Sequence, residues 1–366
     1  MTPRQRLLKL FQGEKADQVP WYGDLDYWAT GLIGRKVKPI DFKASPDYIQ
    51  WHEDLQVGYY LQGYFPYKTN FNRCKVTVTQ EGNRKRTHIH TPLGELYDGW
   101  EYLPSSFSEA PIDHFIKSAA DLKIWRFYYE DMSFEPDYDF ARQRGEQIKE
   151  SGILLAYLPH TPWMQLLVMD CGVETLSYLA FEAEEELQRT LQVMKKKLDE
   201  AIEITTRCPV EALMIPENLS SEMVGPHFFT KYLQDDQKDW LEKIHHAGKY
   251  SFIHMDGSLK GLLRQEASLP VTVLEALTPA PVGDLDIEQW ADWAGNDNTI
   301  LWGGLPGVYF TSLVSDEQFD QHVQRVLKVM RQKPRFVLGV ADQVPPDALE
   351  SRVRRVADLV EAYGKY

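Results

Sequence analysis

Tyr250-Ser251-Phe252-Ile253-His254-Met255-Asp256-Gly257 is a short apolar run, preceded by a helical stretch carrying His245 and His246, that ends on polar residues and a glycine. A run of that length bounded by a turn reads as a buried strand. The unit recurs along the chain. Candidate strands are Val19 to Gly23, Ile153 to Leu158, Ala212 to Pro216, Tyr250 to His254, Val271 to Leu277, Thr299 to Trp302 and Phe336 to Gly339, with amphipathic segments between them. Apolar residues at 173, 176, 180, 183, 187, 191, 194, 198 and 202 step by three or four, as one buried helix face requires, and the stretch Glu182 to Glu186 splits them into two helices. The last segment opens on Pro345-Pro346-Asp347, carries Leu349, Val353, Val356 and Val360 on one side and meets Gly364, which is ordinary helix punctuation.

Strand and helix alternating over residues 150 to 366 predict a parallel sheet with helical crossovers. Seven visible strands predict a closed (β/α)8 TIM barrel with one strand unread; an open doubly wound sheet is the alternative. No GxGxxG or GxxxxGK[ST] opens a helix, so a dinucleotide or P-loop site would lack its phosphate cradle. Lys75-Val76-Thr77-Val78-Thr79 and Arg86-Thr87-His88-Ile89-His90, joined through a Glu-Gly-Asn turn, read as a hairpin ending at Thr91-Pro92-Leu93-Gly94. Residues 24 to 120 are then an excursion inserted after the first barrel strand, and residues 1 to 366 a single domain.

The 366 residues are 43% apolar and 26% charged, enough to bury a sizeable core and unlike a disordered or fibrous chain. The 54 acidic side chains exceed the 40 basic ones, and no basic run is longer than Arg84-Lys85-Arg86 or Lys195-Lys196-Lys197. Nucleic acid, which needs a concentrated basic face, is excluded as a partner. Cys74, Cys171 and Cys208 form no CxxC pair and are odd in number, which predicts free thiols and a cytoplasmic location. The N-terminus lacks a signal-peptide core, and no stretch reaches the ~18 apolar residues of a membrane span. Ten Trp and nineteen Tyr suit either core packing or a cleft for a flat or apolar ligand.

Active sites of such barrels sit at the C-terminal ends of the strands. His254 and Asp256, two residues apart in extended chain, would share a face at ~6.5–7 Å. Asp342, in Leu338-Gly339-Val340-Ala341-Asp342-Gln343, takes the adjoining rim, and Glu217 follows its own strand in the same way. One imidazole with up to three carboxylates suits a divalent metal or proton transfer; a His-x-Asp pair that merely ties a loop is the plain alternative. Asp24 and Asp26 end the first strand, either as site acids or as solvated loop acids. Tyr157 and Pro162-Trp163 stand where aromatics wall a pocket or fill a core. Gly303-Gly304 would let a ligand approach the backbone, or would form a turn.

Thr2-Pro3-Arg4-Gln5-Arg6, Gly13-Glu14-Lys15-Ala16-Asp17-Gln18-Val19-Pro20, Pro162-Trp163, Pro226 before Phe228-Phe229, Gly248 ahead of His254-Met255-Asp256-Gly257, Gly303-Gly304-Leu305-Pro306 and Val344-Pro345-Pro346 occur in an order that resembles the uroporphyrinogen decarboxylase superfamily, and its corrinoid-dependent methyltransferase branch in particular. The resemblance implies a (β/α)8 barrel. It also shows departures. Where the decarboxylases carry Arg-Gln-Ala-Gly-Arg, this chain has Gly23-Asp24-Leu25-Asp26-Tyr27-Trp28; their tyrosine after Pro-Trp matches Val168, and their late histidine matches Asp342. An octacarboxylate would meet like charge, so uroporphyrinogen is not the implied substrate. The methyltransferase branch binds zinc through His-x-Cys and a late Cys; at those positions stand His254, Asp256 and Asp342.

The resemblance therefore implies a divalent metal, Zn, Mn or Fe, on His254, Asp256 and Asp342, and a methyl group moved between a small substrate and a corrinoid carried by a partner protein. A homodimer is compatible with it. Asp24, Asp26, Tyr157 and Glu217 are the further catalytic candidates, and Gly303 and Gly304 the cofactor-binding ones. The alternatives are a decarboxylase acting on another carboxylate, with Asp24 or Asp26 as acid and His254 or Tyr157 assisting, and a non-catalytic binding protein on the same fold.

Overall fold

The computed structural model describes residues 1–60 and 63–366. Its strands are β1 (Trp21–Tyr22), β2 (Tyr59–Tyr60), β3 (Tyr67–Phe71), β4 (Lys75–Glu81), β5 (Arg84–Thr91), β6 (Gly94–Leu103), β7 (Ser108–Asp113), β8 (Met132–Pro136), β9 (Gly152–Ile153), β10 (Leu155–Tyr157), β11 (Ala212–Ile215), β12 (Tyr250–His254), β13 (Val273–Leu277), β14 (Ile300–Pro306) and β15 (Phe336–Ala341). Seven of these form one parallel sheet in the order β1-β15-β14-β13-β12-β11-β10. The sheet is buried on both faces, which is why its strands read as unbroken apolar runs.

The sheet curls. Trp302 of β14 lies within 5.2 Å of Tyr22, 4.8 Å of Tyr60 and 5.5 Å of Phe252, ring centre to ring centre. None of those partners stands on a strand next to β14, so the shared face must be concave. Helix Pro3–Phe11, begun by a Thr2 capping box, sends Leu7, Leu10 and Phe11 into this inner cluster. Beyond β1, Gly58 makes a parallel bridge to Tyr22, and β2 pairs in parallel with β9, which runs into β10. The outer face is covered by helices, among them Gly172–Glu182 and Glu184–Thr206, divided at Ala183 as the acidic stretch suggests.

Several boundaries differ from the sequence reading, each for a local reason. The hairpin over 75–79 and 86–90 is the first half of a four-stranded antiparallel meander, β4-β5-β6-β7, and Thr91 to Gly94 turns into its third strand. Gly99 and a register shift at Trp100 hide the alternation of β6. The span 24 to 120 also holds β2, and it includes residues 61 and 62, which lie outside the described residues. The closing helix is Glu350–Tyr363, so Pro345 and Pro346 precede it by a short connection. Gly303 and Gly304 form no turn: they continue β14, buried on both sides, and a Cβ on Gly303 would stand 2.3 Å from the Leu277 carbonyl oxygen.

Gly152 is a second close approach, since a Cβ there would lie 1.7 Å from the Tyr59 carbonyl oxygen and force β2 and β9 apart. Gly152→Ala is expected to destabilise the chain by about 1–3 kcal/mol in chemical denaturation. Gly145→Ala is the control. It lies inside helix Asp139–Ile148, where the new Cβ meets only Leu154 at 3.4 Å, and it is expected to be neutral or stabilising. Equal midpoints for the two variants would contradict this account of the β2–β9 joint.

Cys74, Cys171 and Cys208 are all free and buried, and burial pushes their thiols up to about 11, about 12 and about 11 respectively. Among the described residues no helix is long and apolar enough to cross a membrane.

Candidate active site

At the C-terminal edge of the curled sheet, His254 ends β12 and stands in register with Glu275 of β13. Glu275 interrupts an apolar strand and is only 1% exposed. Such burial is tolerable for a carboxylate that is fully hydrogen-bonded. Its Oε1 accepts from the Tyr60 hydroxyl at 2.9 Å, and its Oε2 accepts from His254 Nδ1 at 2.6 Å. A register shift between Leu274 and Leu277, with Ala276 at φ 66°, bends β13 just beyond Glu275. Bulges of this kind re-aim side chains next to functional sites.

The pair sets the charge of the imidazole. Burial alone would lower its pKa, but the charge and hydrogen bond of Glu275, reinforced by Asp342 and Asp256, raise it to about 9. His254 is therefore an imidazolium at neutral pH, held at Nδ1, with Nε2 directed to Asp342 Oδ1 at 3.7 Å. Asp342 follows β15 at φ 68°, a left-handed conformation costly for a non-glycine residue, and about half of its side chain faces solvent. Partial burial, opposed by His254 and assisted by Asp256 and Glu275, holds its carboxyl above the usual range.

Asp24 lies beyond β1 and is buried. Its Oδ1 accepts from the Asp26 amide at 2.8 Å and its Oδ2 from Gln343 Nε2 at 3.0 Å. Burial, then the charge of Asp26, lifts Asp24 well above the ordinary carboxylate range, with Asp342 and Glu275 contributing. Tyr157, at the end of β10, packs edge-on to Phe65 at 5.6 Å; burial and the charges of Asp24, Glu275 and Asp342 keep its hydroxyl protonated. Asp26 is an ion-pair partner, 2.7 Å from Lys43 Nζ, which also donates to Thr30 Oγ1 at 2.9 Å. That pair lines a cavity of about 190 Å³ with Tyr48, Tyr59, Tyr60 and Phe140, so Tyr60 joins the cavity to the Glu275–His254 pair.

The structure thus brings together His254, Asp256, Asp342, Asp24 and Tyr157, through contact or mutual charge. It does not bring Glu217, which is fully buried elsewhere and accepts from the Thr161 amide at 3.2 Å and Gln237 Nε2 at 3.3 Å. Nor does it bring Gly303 and Gly304, which pack inside β14. Among the described residues no group of three or more His, Cys, Asp or Glu side chains is placed to hold a metal ion. Glu275 holds Nδ1 of His254 and leaves Nε2 as the ring nitrogen a metal could take, but Asp256 and Asp342 do not gather around it, so the residues as they stand do not fit a His254–Asp256–Asp342 metal centre.

The sequence reading missed Glu275, Tyr60, His160 and Gln343. Glu275 had a signal: an acid in the middle of Val273-Leu274-Glu275-Ala276-Leu277 must have a partner or a function. His160, whose imidazole burial and the charge of His254 lower to about 4, stands near the imidazolium as a neutral ring. Nothing in its local sequence marks it.

A family model described as Uroporphyrinogen decarboxylase (URO-D) matches residues 160–363. That span carries His254, Asp256, Glu275 and Asp342, and it excludes Asp24, Asp26, Tyr60 and Tyr157. No curated protein matches the chain. Among solved structures, a methyltransferase from Methanosarcina mazei is similar at a TM-score of 0.62 and 11% identity, over 99% of each chain, a likeness of fold. An L-Ala-D/L-Glu epimerase aligns over 83% of this chain and 84% of its own, at 10% identity and a TM-score of 0.30, too low to carry an argument.

Proposed function

This chain belongs to the uroporphyrinogen decarboxylase family, and we propose that it is a methyltransferase that moves a methyl group between a small substrate and a corrinoid carried by a separate protein, with His254 as the acid. The observation that carries the reading is the His254 ring held between buried Glu275 and half-exposed Asp342. The carboxylates Asp256, Asp342 and Glu275 around His254 argue against a polyanionic substrate. Met223, Val282, Val308 and Leu313 are exposed apolar residues on the segments that follow β11, β13 and β14, at the same end of the sheet as His254, which suits docking of a large, partly apolar partner group. We also take the curled sheet as a complete (β/α)8 barrel, with β2 as the stave between β1 and β9. The Gly58–Tyr22 bridge and the β2–β9 pairing support this.

In this reaction the bond between the methyl carbon and its substrate atom breaks, and the electron pair stays on that atom. His254 Nε2 gives it the proton, so a neutral product leaves. When bound, the partner's corrinoid supplies the electron pair that takes the methyl carbon. Glu275 holds the imidazole's orientation through the transfer, and Asp342, half open to solvent, is the route by which Nε2 regains its proton. Tyr157 and protonated Asp24 supply hydrogen-bond donors without adding negative charge. No step passes through a metal.

The test supplies reduced free corrinoid as acceptor and follows its absorbance with methyl amines, methyl ethers and methyl thioethers as donors. Chain-dependent methylation by at least one donor class, absent in His254→Ala, is expected. Carbon dioxide released from a small carboxylate, with no donor methylating the corrinoid, would replace this reading with a decarboxylase, whose carbanion the same imidazolium would protonate. Ligand binding without turnover of either kind would make the chain a binding protein.

A further inference from the structure

Four side chains from separate segments meet in the interior, away from His254. Thr161 precedes helix Pro162–Gln165, Glu217 follows β11, Gln237 lies in helix Gln234–His246, and Glu266 in helix Leu263–Ala267. All four have 0% exposure. The Thr161 amide at 3.2 Å and Gln237 Nε2 at 3.3 Å both donate to Glu217. Yet the oxygens of Glu266, which touches Gln237, with Gln237 Oε1 and the Thr161 hydroxyl beside Glu217, complete no well-formed hydrogen bond. Burial, then the charge of Glu217, holds Glu266 far above an ordinary glutamate, and Glu217 itself is raised to about 7.

Unpaired buried oxygens of this kind carry a cost, which protons on the two carboxyls would lessen by turning them into donors. A cation removes it. Every unmet atom is an oxygen, the donor type of hard cations, and two carboxylates balance a double positive charge. We propose that Glu217, Glu266, Gln237 and Thr161 form a site for one divalent hard cation of the calcium or magnesium class. The site fastens the segments that follow β10 and β11 to helices Gln234–His246 and Leu263–Ala267. Thr161 is the residue next to His160, so the cation also anchors the ring that stands near His254. The proposal is independent of which reaction the cleft performs.

The test strips the full-length chain with chelator and adds back calcium or magnesium separately, reading metal content by mass spectrometry and Tm by scanning fluorimetry. One cation per chain and a Tm rise of about 5 °C at saturating cation are expected. Glu266→Gln and Glu217→Gln should lose both, while His254→Ala keeps both. No stoichiometric binding with an unchanged Tm, or binding fully retained in Glu266→Gln, would overturn the proposal. If the glutamate variants fail to fold, Gln237→Leu, which keeps both acids, should weaken cation affinity at least about tenfold, and an unchanged affinity would overturn it equally.

Discussion

His254→Gln lowers turnover by about 10²- to 10⁴-fold, the range general acid catalysis contributes, with KM changed far less. Glutamine can keep the contact to Glu275 but has no proton to give, so the loss should fall on kcat. For the unaltered chain the rate should hold across neutral pH and fall as pH rises through about 9, where the imidazolium loses its proton. Stability follows the same group. Its folded pKa lies above the unfolded value of about 6.5, so its contribution is complete below 6.5 and is lost as pH rises towards 9. The size is on the order of 3 kcal/mol. Denaturation midpoints at pH 6 and pH 9.5, compared between the parent and His254→Gln, isolate this term. A variant whose midpoint difference matches the parent's would refute the imidazolium assignment.

Glu275→Gln acts through His254, because Glu275 positions the imidazole and is not itself in reach of substrate. Without the carboxylate, burial opposes protonation with only Asp342 and Asp256 against it, and the imidazole pKa should return to about 6.5 or below. At pH 8 such a ring is about 3% protonated, so kcat should drop about 30-fold there and recover on acidification to pH 5.5. A merely structural role predicts a loss that pH does not repair. The measurement is the pH profile of kcat, together with an NMR titration of the His254 ring; an alkaline limb still near 9 would remove Glu275 from the mechanism. Glu275→Leu should be harsher, since it leaves His254 Nδ1 and the Tyr60 hydroxyl buried without partners, and a cost of about 2–6 kcal/mol is expected at about 1–3 kcal/mol for each.

The parallel strands from β10 to β15 are legible in the sequence because burial on both faces leaves an uninterrupted apolar run. β2 is not, since two aromatic residues, Tyr59–Tyr60, offer neither period nor length. Within the site, the ends of β12 and β15 announce His254, Asp256 and Asp342, because strand ends are where a parallel sheet exposes polar groups. Glu217 obeys the same rule and yet turns inward. The rule fixes which end of a strand a residue occupies and says nothing of which side of the sheet it packs on. Metal ligation, which the family resemblance implies, depends on how closely the ends of β12 and β15 bring His254, Asp256 and Asp342 together, and local sequence does not contain that.

The burial of all three thiols gives the chain a practical property. Maleimide reagents react with accessible thiolate, so the folded chain should remain almost unlabelled at neutral pH. A single cysteine placed at Leu313, which is 81% exposed beyond β14, would then carry a fluorophore with negligible background, and its emission would report the docking of a partner at the cleft in a chain that keeps all its native cysteines.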